Sequence, residues 1–124
     1  MISAAPVVFV VDDEEPVRLS LRALLRAEGF AVESFASGAE LLAAMDRRTP
    51  DCVLTDFHMP GMDGRDVIAE LERRHKKLPV VLMTGRDDPG QLALNDRVRV
   101  ISKPFDANVL LPLLRDLIDD RRGG

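Results

Sequence analysis

The sequence predicts an α/β fold of alternating strands and helices around a parallel sheet, and three observations predict it. Continuous apolar runs recur over residues 7–11, 52–55 and 80–83, each bounded by Pro, Gly or Asp, as strands buried on both faces of a sheet require. The stretches between them carry apolar residues at helical spacing. The strand-like runs close on polar residues, Asp12 with Asp13, Asp56, Thr84 and Lys103, and in a parallel sheet ends of one sense gather at one rim.

The elements follow in order. Pro6 and the acidic pair frame the first strand, which is predicted to be central. Pro16 suits the first turn of a helix whose stripe of Val17, Leu21, Leu24, Leu25 and Glu28 ends at Gly29. Residues 31–35 alternate apolar with polar as an edge strand does, and Ser37 with Glu40 predicts a capping box opening a helix that buries Leu41, Leu42 and Met45. The strand over 52–55 delivers Asp56. Pro60, Gly61 and Gly64 then write an irregular loop into a helix capped by Asp63, with Val67, Ile68 and Leu71 inside. Pro79 opens the next strand, with Thr84 and Gly85 at its tip. A short, weakly amphipathic helix is expected over 88–95 and an alternating edge strand over 97–101. A last helix from near Asp106 should bury Val109, Leu110, Leu113, Leu114 and Leu117, with Pro112 bending its first turns or standing near its start. Residues 121–124 read as a frayed end or the opening of a linker, leaving about 5–121 as the ordered core of one domain over 1–124. Right-handed crossovers make this pattern a (βα)5 three-layer sandwich. Apolar inner and alternating outer strands fit a flavodoxin-like sheet order of 2-1-3-4-5.

Composition excludes several classes. With 124 residues and 46% hydrophobic content the chain can bury one core. Its net charge of -4, from 17 basic and 21 acidic residues without a basic block, argues against direct binding of nucleic acid. A single Cys52 excludes an internal disulfide and fits a reducing cytosol. No basic N-terminal region precedes residues 7–11, and that run is too short to cross a bilayer, so the expectation is a cytoplasmic protein without membrane contact.

The polar rim carries the chemistry. Three carboxylates, a hydroxyl and an ammonium would share one pocket, and crowded carboxylates repel unless a cation sits among them. Oxygen-only donors suit Mg²⁺, and a phosphoryl group is the partner such a cation predicts. Singly, each residue has a plainer reading: an Asp before a helix is commonly an N-cap, and a Lys before Pro is commonly solvated. The plainer readings do not predict their convergence. His75 reads as a solvated helix residue and Cys52 as a small core residue.

Asp12-Asp13, Asp56 within residues 55–64 (Thr-Asp-Phe-His-Met-Pro-Gly-Met-Asp-Gly), Thr84-Gly85 and Ser102-Lys103-Pro104-Phe105 occur in order at the ends of the right strands. In these motifs the chain resembles, over essentially its whole length, the receiver domain of bacterial two-component response regulators. The resemblance implies that Asp56 is the phosphoacceptor, taking a phosphoryl group from a phosphohistidine on a sensor histidine kinase or histidine phosphotransferase, with slow self-dephosphorylation as the only catalysis. It implies Mg²⁺ bound by Asp13 and Asp56, by Asp12 through water and by the backbone carbonyl of His58. Lys103 would pair with Asp56 at rest and with a phosphoryl oxygen afterwards, Thr84 would hold another such oxygen, and the Lys103-Pro104 bond would be cis. His58, Gly85, Arg86 and Val100 would modulate the site, His58 and Arg86 by tuning how water reaches the acyl phosphate.

Two departures from the family bear on output. Receivers usually carry Tyr or Phe three residues before the Lys, where this chain has Val100, so the aromatic switch is not expected. The stretch over 84–103 is shorter than usual by about one helical turn, which implies a weaker or differently placed phosphorylation-dependent dimer. The Met1 start favours an N-terminal or complete chain over a C-terminal fragment. A stand-alone regulator and a receiver within a longer protein both fit, and the downstream effector is not specified. Among rival readings, a phosphatase of the haloacid-dehalogenase kind would want a second Asp where His58 stands. A flavin binder would want Ser, Thr and Gly where Asp12, Asp13, Glu14 and Glu15 would repel a phosphate. A receiver-like interaction module that is never phosphorylated would not need the full acidic and Lys set.

Overall fold

Residues 5–85 and 97–123 are described by the structure, a computed structural model. Five strands, β1 (Val7–Val11), β2 (Ala31–Phe35), β3 (Cys52–Asp56), β4 (Val80–Thr84) and β5 (Val98–Ser102), form one parallel sheet in the order β2-β1-β3-β4-β5. The helices among the described residues are α1 (Glu15–Ala27), α2 (Gly38–Met45), α3 (Gly64–Arg73) and α4 (Ala107–Gly123). The sheet order is the expected one, and the short helix expected over 88–95 lies outside the described residues.

Strand periodicity divides the core into two layers. On β1, Phe9 and Val11 face the layer under α2 and α3 with Leu41, Met45, Val67 and Leu71, while Val8 and Val10 face the layer under α1 and α4 with Leu21, Leu25, Leu110 and Leu114. Every residue of β3 and β4 is buried, which is why those strands read as unbroken apolar runs. The outer strands β2 and β5 keep exposed positions, as their alternation predicted.

Local signals explain the helix ends, with two corrections. Gly29 adopts φ 95, the left-handed conformation that closes α1, and its N–H donates to the carbonyl of Arg26 at 3.1 Å. At Ser37 only the forward half of the expected capping box is made, Oγ accepting from the Glu40 N–H at 3.2 Å. Both halves are made at α3 instead, between Asp63 and Asp66, at 3.0 Å each. In α4 the expected burial of Val109 is wrong. It is 55% exposed, and the inward stripe is Leu110, Leu114, Leu117 and Ile118, spaced i, i+4, i+7 and i+8. Pro112 lies inside α4 on its exposed side, so the carbonyl of Asn108 that it leaves without a helical donor faces water.

Residues 121–123 are not frayed: α4 runs through them. Arg121 and Arg122 pair with Asp51 at 3.3 and 3.2 Å, and Asp51 Oδ2 accepts the Val7 N–H at 2.9 Å, so one carboxylate ties the start of β1, the start of β3 and the end of α4. The guanidinium groups are half-exposed and contribute little, so the backbone hydrogen bond carries most of the effect. Asp51→Ala should lose about 1–2 kcal/mol in urea unfolding and Asp51→Asn, which keeps an acceptor, less than half of that. Equal losses would show that the ion pairs dominate.

Candidate functional site

Parallel register delivers the polar residues to one rim. Val11 pairs with Thr55, Asp56 with Met83, and Thr84 with Ser102, so the residues that end or follow β1, β3, β4 and β5 stand side by side. Asp12 is fully buried, Asp56 is 5% and Thr84 1% exposed, and Asp13 is exposed. Lys103 directly follows β5 and is joined to Pro104 by a cis peptide bond, and its backbone N–H donates to the carbonyl of Thr84 at 2.7 Å. Its Nζ lies 3.1 Å from Asp12 Oδ2 and 3.3 Å from Asp56 Oδ2. The expected pairing with Asp56 is present, and the ammonium is shared with Asp12 as well.

The loop after β1 is locked around Asp12. Its Oδ1 accepts the Glu14 N–H at 2.9 Å, and its carbonyl accepts from Arg18 Nη1 at 2.7 Å. That turn brings a further acid to the site. Asp12, Asp13, Glu14 and Asp56 each offer a carboxylate oxygen, all within 4.8 Å of one another. Glu14 was missed as a site residue. Its adjacency to the acidic pair was the available signal. A set of oxygen donors at this spacing fits a hard divalent cation.

Burial dominates the electrostatics of Asp56 and pushes its carboxyl above the usual carboxylate range. Lys103 pulls it down, Asp12 pushes it up, and the net direction is up. For Lys103 burial alone would lower the pKa, but the hydrogen bond to Asp12 and the charges of Asp56 and Asp12 outweigh it, so the ammonium is held more firmly charged. Cys52 takes no part in this chemistry: it is fully buried, and burial pushes its thiol up to about 12.

The remaining predicted positions flank the site. His58 is exposed, its ring edge-on to Phe57 at 4.7 Å, and its backbone N–H helps hold the Asp56 carboxylate. Gly85 follows Thr84 at the surface, and a Cβ there would meet no heavy atom within 4 Å among the described residues. Val100 pairs with Leu82 in register and is half-buried against the layer under α2 and α3. Arg86 lies outside the described residues.

Comparison with known proteins agrees with this geometry. The family model described as response regulator receiver domain matches residues 8–115. The DNA-binding transcriptional regulator NtrC of Escherichia coli (strain K12) is 42% identical over 115 residues, a match that takes in 90% of this chain but 24% of NtrC, so the chain spans about a quarter of that relative's length. The solution structure of the apo receiver domain of nitrogen regulatory protein C superposes with a TM-score of 0.83 at 33% identity, over 97% of this chain and 99% of that one. The signal receiver domain of an HD domain-containing protein from Pseudomonas fluorescens Pf-5 superposes with a TM-score of 0.88 at 25% identity, over 99% of this chain and 93% of that one.

Proposed function

This chain belongs to the response regulator receiver domain family, and from that premise we propose that Asp56 is its phosphoacceptor, charged by a phosphohistidine on a sensor histidine kinase or a histidine phosphotransferase. The observation that carries the reading is the position of Lys103 Nζ, 3.1 Å from Asp12 and 3.3 Å from Asp56, at the rim where β1, β3, β4 and β5 end. An Asp56 oxygen attacks phosphorus in line. The new P–O bond forms as the P–N bond to the donor imidazole breaks, and the departing nitrogen keeps the electron pair. Such a loose transfer asks for positioning and charge neutralisation rather than a strong base.

Each side chain has a part in this. Mg²⁺, held by Asp13 and Asp56, by Asp12 through water and by the carbonyl of His58, would supply charge neutralisation at the phosphoryl oxygens. Lys103 moves from its bridge onto a phosphoryl oxygen, acting as a point charge, while Asp12 keeps it near the site. The hydroxyl of buried Thr84 donates to a second oxygen. Hydrolysis of the acyl phosphate by water is slow and is the only catalysis, with His58 and Arg86 tuning how water approaches and Gly85 modulating the site. Because an aliphatic Val100 faces Leu82 where an aromatic would swing, switching works through a smaller repacking of β4 and β5 around Thr84. The phosphorylated state is then read by a downstream effector.

A phosphohistidine donor is made from ATP, which places this role in the cytoplasm. No helix among the described residues is long and apolar enough to cross a membrane. The haloacid-dehalogenase reading is not favoured, because His58 stands where its second Asp would act. Acetyl phosphate with Mg²⁺ should add the mass of one phosphoryl group to the wild type by intact mass spectrometry, and none to Asp56→Asn. Uptake undiminished in Asp56→Asn, or absent from the wild type, would overturn the assignment.

A further inference from the structure

We infer that Arg18 is a positioning residue of the acidic rim, setting the orientation of Asp13 through the backbone and thereby the affinity of the site for Mg²⁺. The inference rests on the receiver reading of that rim and gives a part in it to a side chain of α1 that the reading does not otherwise use. Arg18 stands in the first turn of α1, where its backbone N–H donates to the Glu14 carbonyl at 3.1 Å. Its guanidinium does not do what a cation beside carboxylates ordinarily does. It forms no ion pair with Asp12, Asp13, Glu14 or Asp56, and Glu15, at 3.9 Å and 74% exposed, is too distant and too solvated to hold it. Nη1 donates instead to the backbone carbonyl of Asp12 at 2.7 Å, and the side chain is only 17% exposed. A charged donor at that distance makes a strong hydrogen bond.

What that bond controls follows from the chain around it. Asp13 is exposed and its carboxylate takes no hydrogen bond among the described residues, so the backbone alone aims it. Peptide units are planar, and the two units flanking Asp13 set the direction in which its side chain leaves the chain. The unit joining Asp13 to Glu14 is fixed by its N–H, which donates to Asp12 Oδ1 at 2.9 Å. The unit joining Asp12 to Asp13 is fixed by its oxygen, and Arg18 holds that oxygen. The other ties on Asp12, its N–H on the Phe35 carbonyl at 3.1 Å and its Oδ2 on Lys103, leave this second unit free to turn. Mg²⁺ takes few protein ligands and demands near-ideal geometry, so a misaimed Asp13 costs affinity. The sign separates positioning from charge. A positive group beside a cation site repels the cation, so deleting Arg18 as a bare charge would tighten Mg²⁺ binding, whereas deleting it as the holder of the Asp12 carbonyl loosens it.

The chain has neither Trp nor Tyr, so binding is best followed by isothermal titration calorimetry on the whole chain, with MgCl₂ as the probe. Arg18→Met keeps the apolar stem and removes the charge and the donor, and should weaken Mg²⁺ by about tenfold. Phosphoryl uptake from acetyl phosphate should then need about tenfold more MgCl₂ to reach half of its full rate, the loss falling on that concentration rather than on the full rate. Arg18→Lys keeps the charge but has a shorter stem and one nitrogen in place of the planar fork, and should weaken Mg²⁺ by at least about threefold. Arg22→Met is the control: it removes the same charge one turn further along α1 and should not weaken Mg²⁺. Urea unfolding without MgCl₂ shows which variants are folded. Unchanged or tighter Mg²⁺ binding in whichever Arg18 variant is folded, or equal weakening by Arg22→Met, overturns the inference and leaves phosphorylation of Asp56 standing. A wild type that binds no Mg²⁺ and takes up no phosphoryl group would instead remove the receiver reading, and the inference with it.

Discussion

Lys103→Met is expected to destabilise the domain without divalent ions by about 3 kcal/mol and to slow phosphoryl uptake from acetyl phosphate by at least about a hundredfold. The stability loss follows from what the ammonium leaves behind. Asp12 is fully buried and Asp56 is 5% exposed, and Lys103 is the cation that both carboxylates touch. Removing one partner of a buried pair leaves an uncompensated charge, which ordinarily costs about 3–5 kcal/mol. The Lys103 side chain is 22% exposed, and solvent screening through that opening holds the expectation to the lower end. Met keeps the length of the stem, so the loss reports charge rather than packing.

The sign against pH can be stated. The folded pKa of Lys103 is raised, so its stabilisation is fully present below the ordinary Lys value and fades only as pH rises through the folded one. The deficit should therefore be constant across the neutral range and shrink only in strong alkali. Mg²⁺ should restore more stability to Lys103→Met than it adds to the wild type, because a second cation then sits among carboxylates that have lost their first. Urea unfolding with and without MgCl₂ measures both effects. A loss under about 1 kcal/mol at neutral pH would mean that Asp12 and Asp56 are solvated well enough to do without Lys103.

Much of this architecture was legible in the chain because parallel sheets write themselves plainly. Residues 52–55 and 80–83 lack alternation since both of their faces are buried, and each run ends on the polar residue that the sheet lifts to the rim. Once the strands are parallel, register alone brings Asp12, Asp56, Thr84 and Lys103 together, and no long-range contact had to be guessed. What stayed hidden depends on contacts the chain makes with distant or competing partners. Two carboxylates compete for one ammonium, and that Asp12 shares it with Asp56 is decided by tenths of an ångström. Glu14 enters the cluster through a turn closed by a side chain, which composition cannot show. In α4 the apolar residues 109–111, 113, 114, 117 and 118 allow more than one inward stripe, and packing against the layer under α1 chose Ile118 over Val109. The last turn of that helix is held by Asp51, some 70 positions away, so its end could not be read from local signals.

Asp56→Asn is expected to act in the opposite sense on stability, raising it by roughly 1 kcal/mol, or about 4 °C in the thermal midpoint, at neutral pH without divalent ions. Burial first, and the charge of Asp12 after it, push the Asp56 carboxyl up by more than Lys103 pulls it down. A carboxyl with a folded pKa above its unfolded one binds its proton more tightly when folded. It favours the fold below the unfolded pKa, and that contribution is lost as pH rises through the folded pKa. At neutral pH ionised Asp56 is thus a net liability, which an amide of the same shape removes while Lys103 retains Asp12 at 3.1 Å. The gap between variant and wild type should be small in acid, open through the region just above the ordinary Asp range, and then stay level. Calorimetry across pH would show this. A variant less stable than wild type at neutral pH would mean that Lys103 outweighs burial after all. In Lys103→Met the same Asn substitution should recover more stability than it does alone, because it removes one of the two carboxylates left without a cation. Added Mg²⁺ should narrow or reverse the advantage of Asn, since the cation binds the folded wild type more tightly. The strain of a buried, charge-crowded carboxylate is then relieved by the ion and phosphoryl group that the site is proposed to receive.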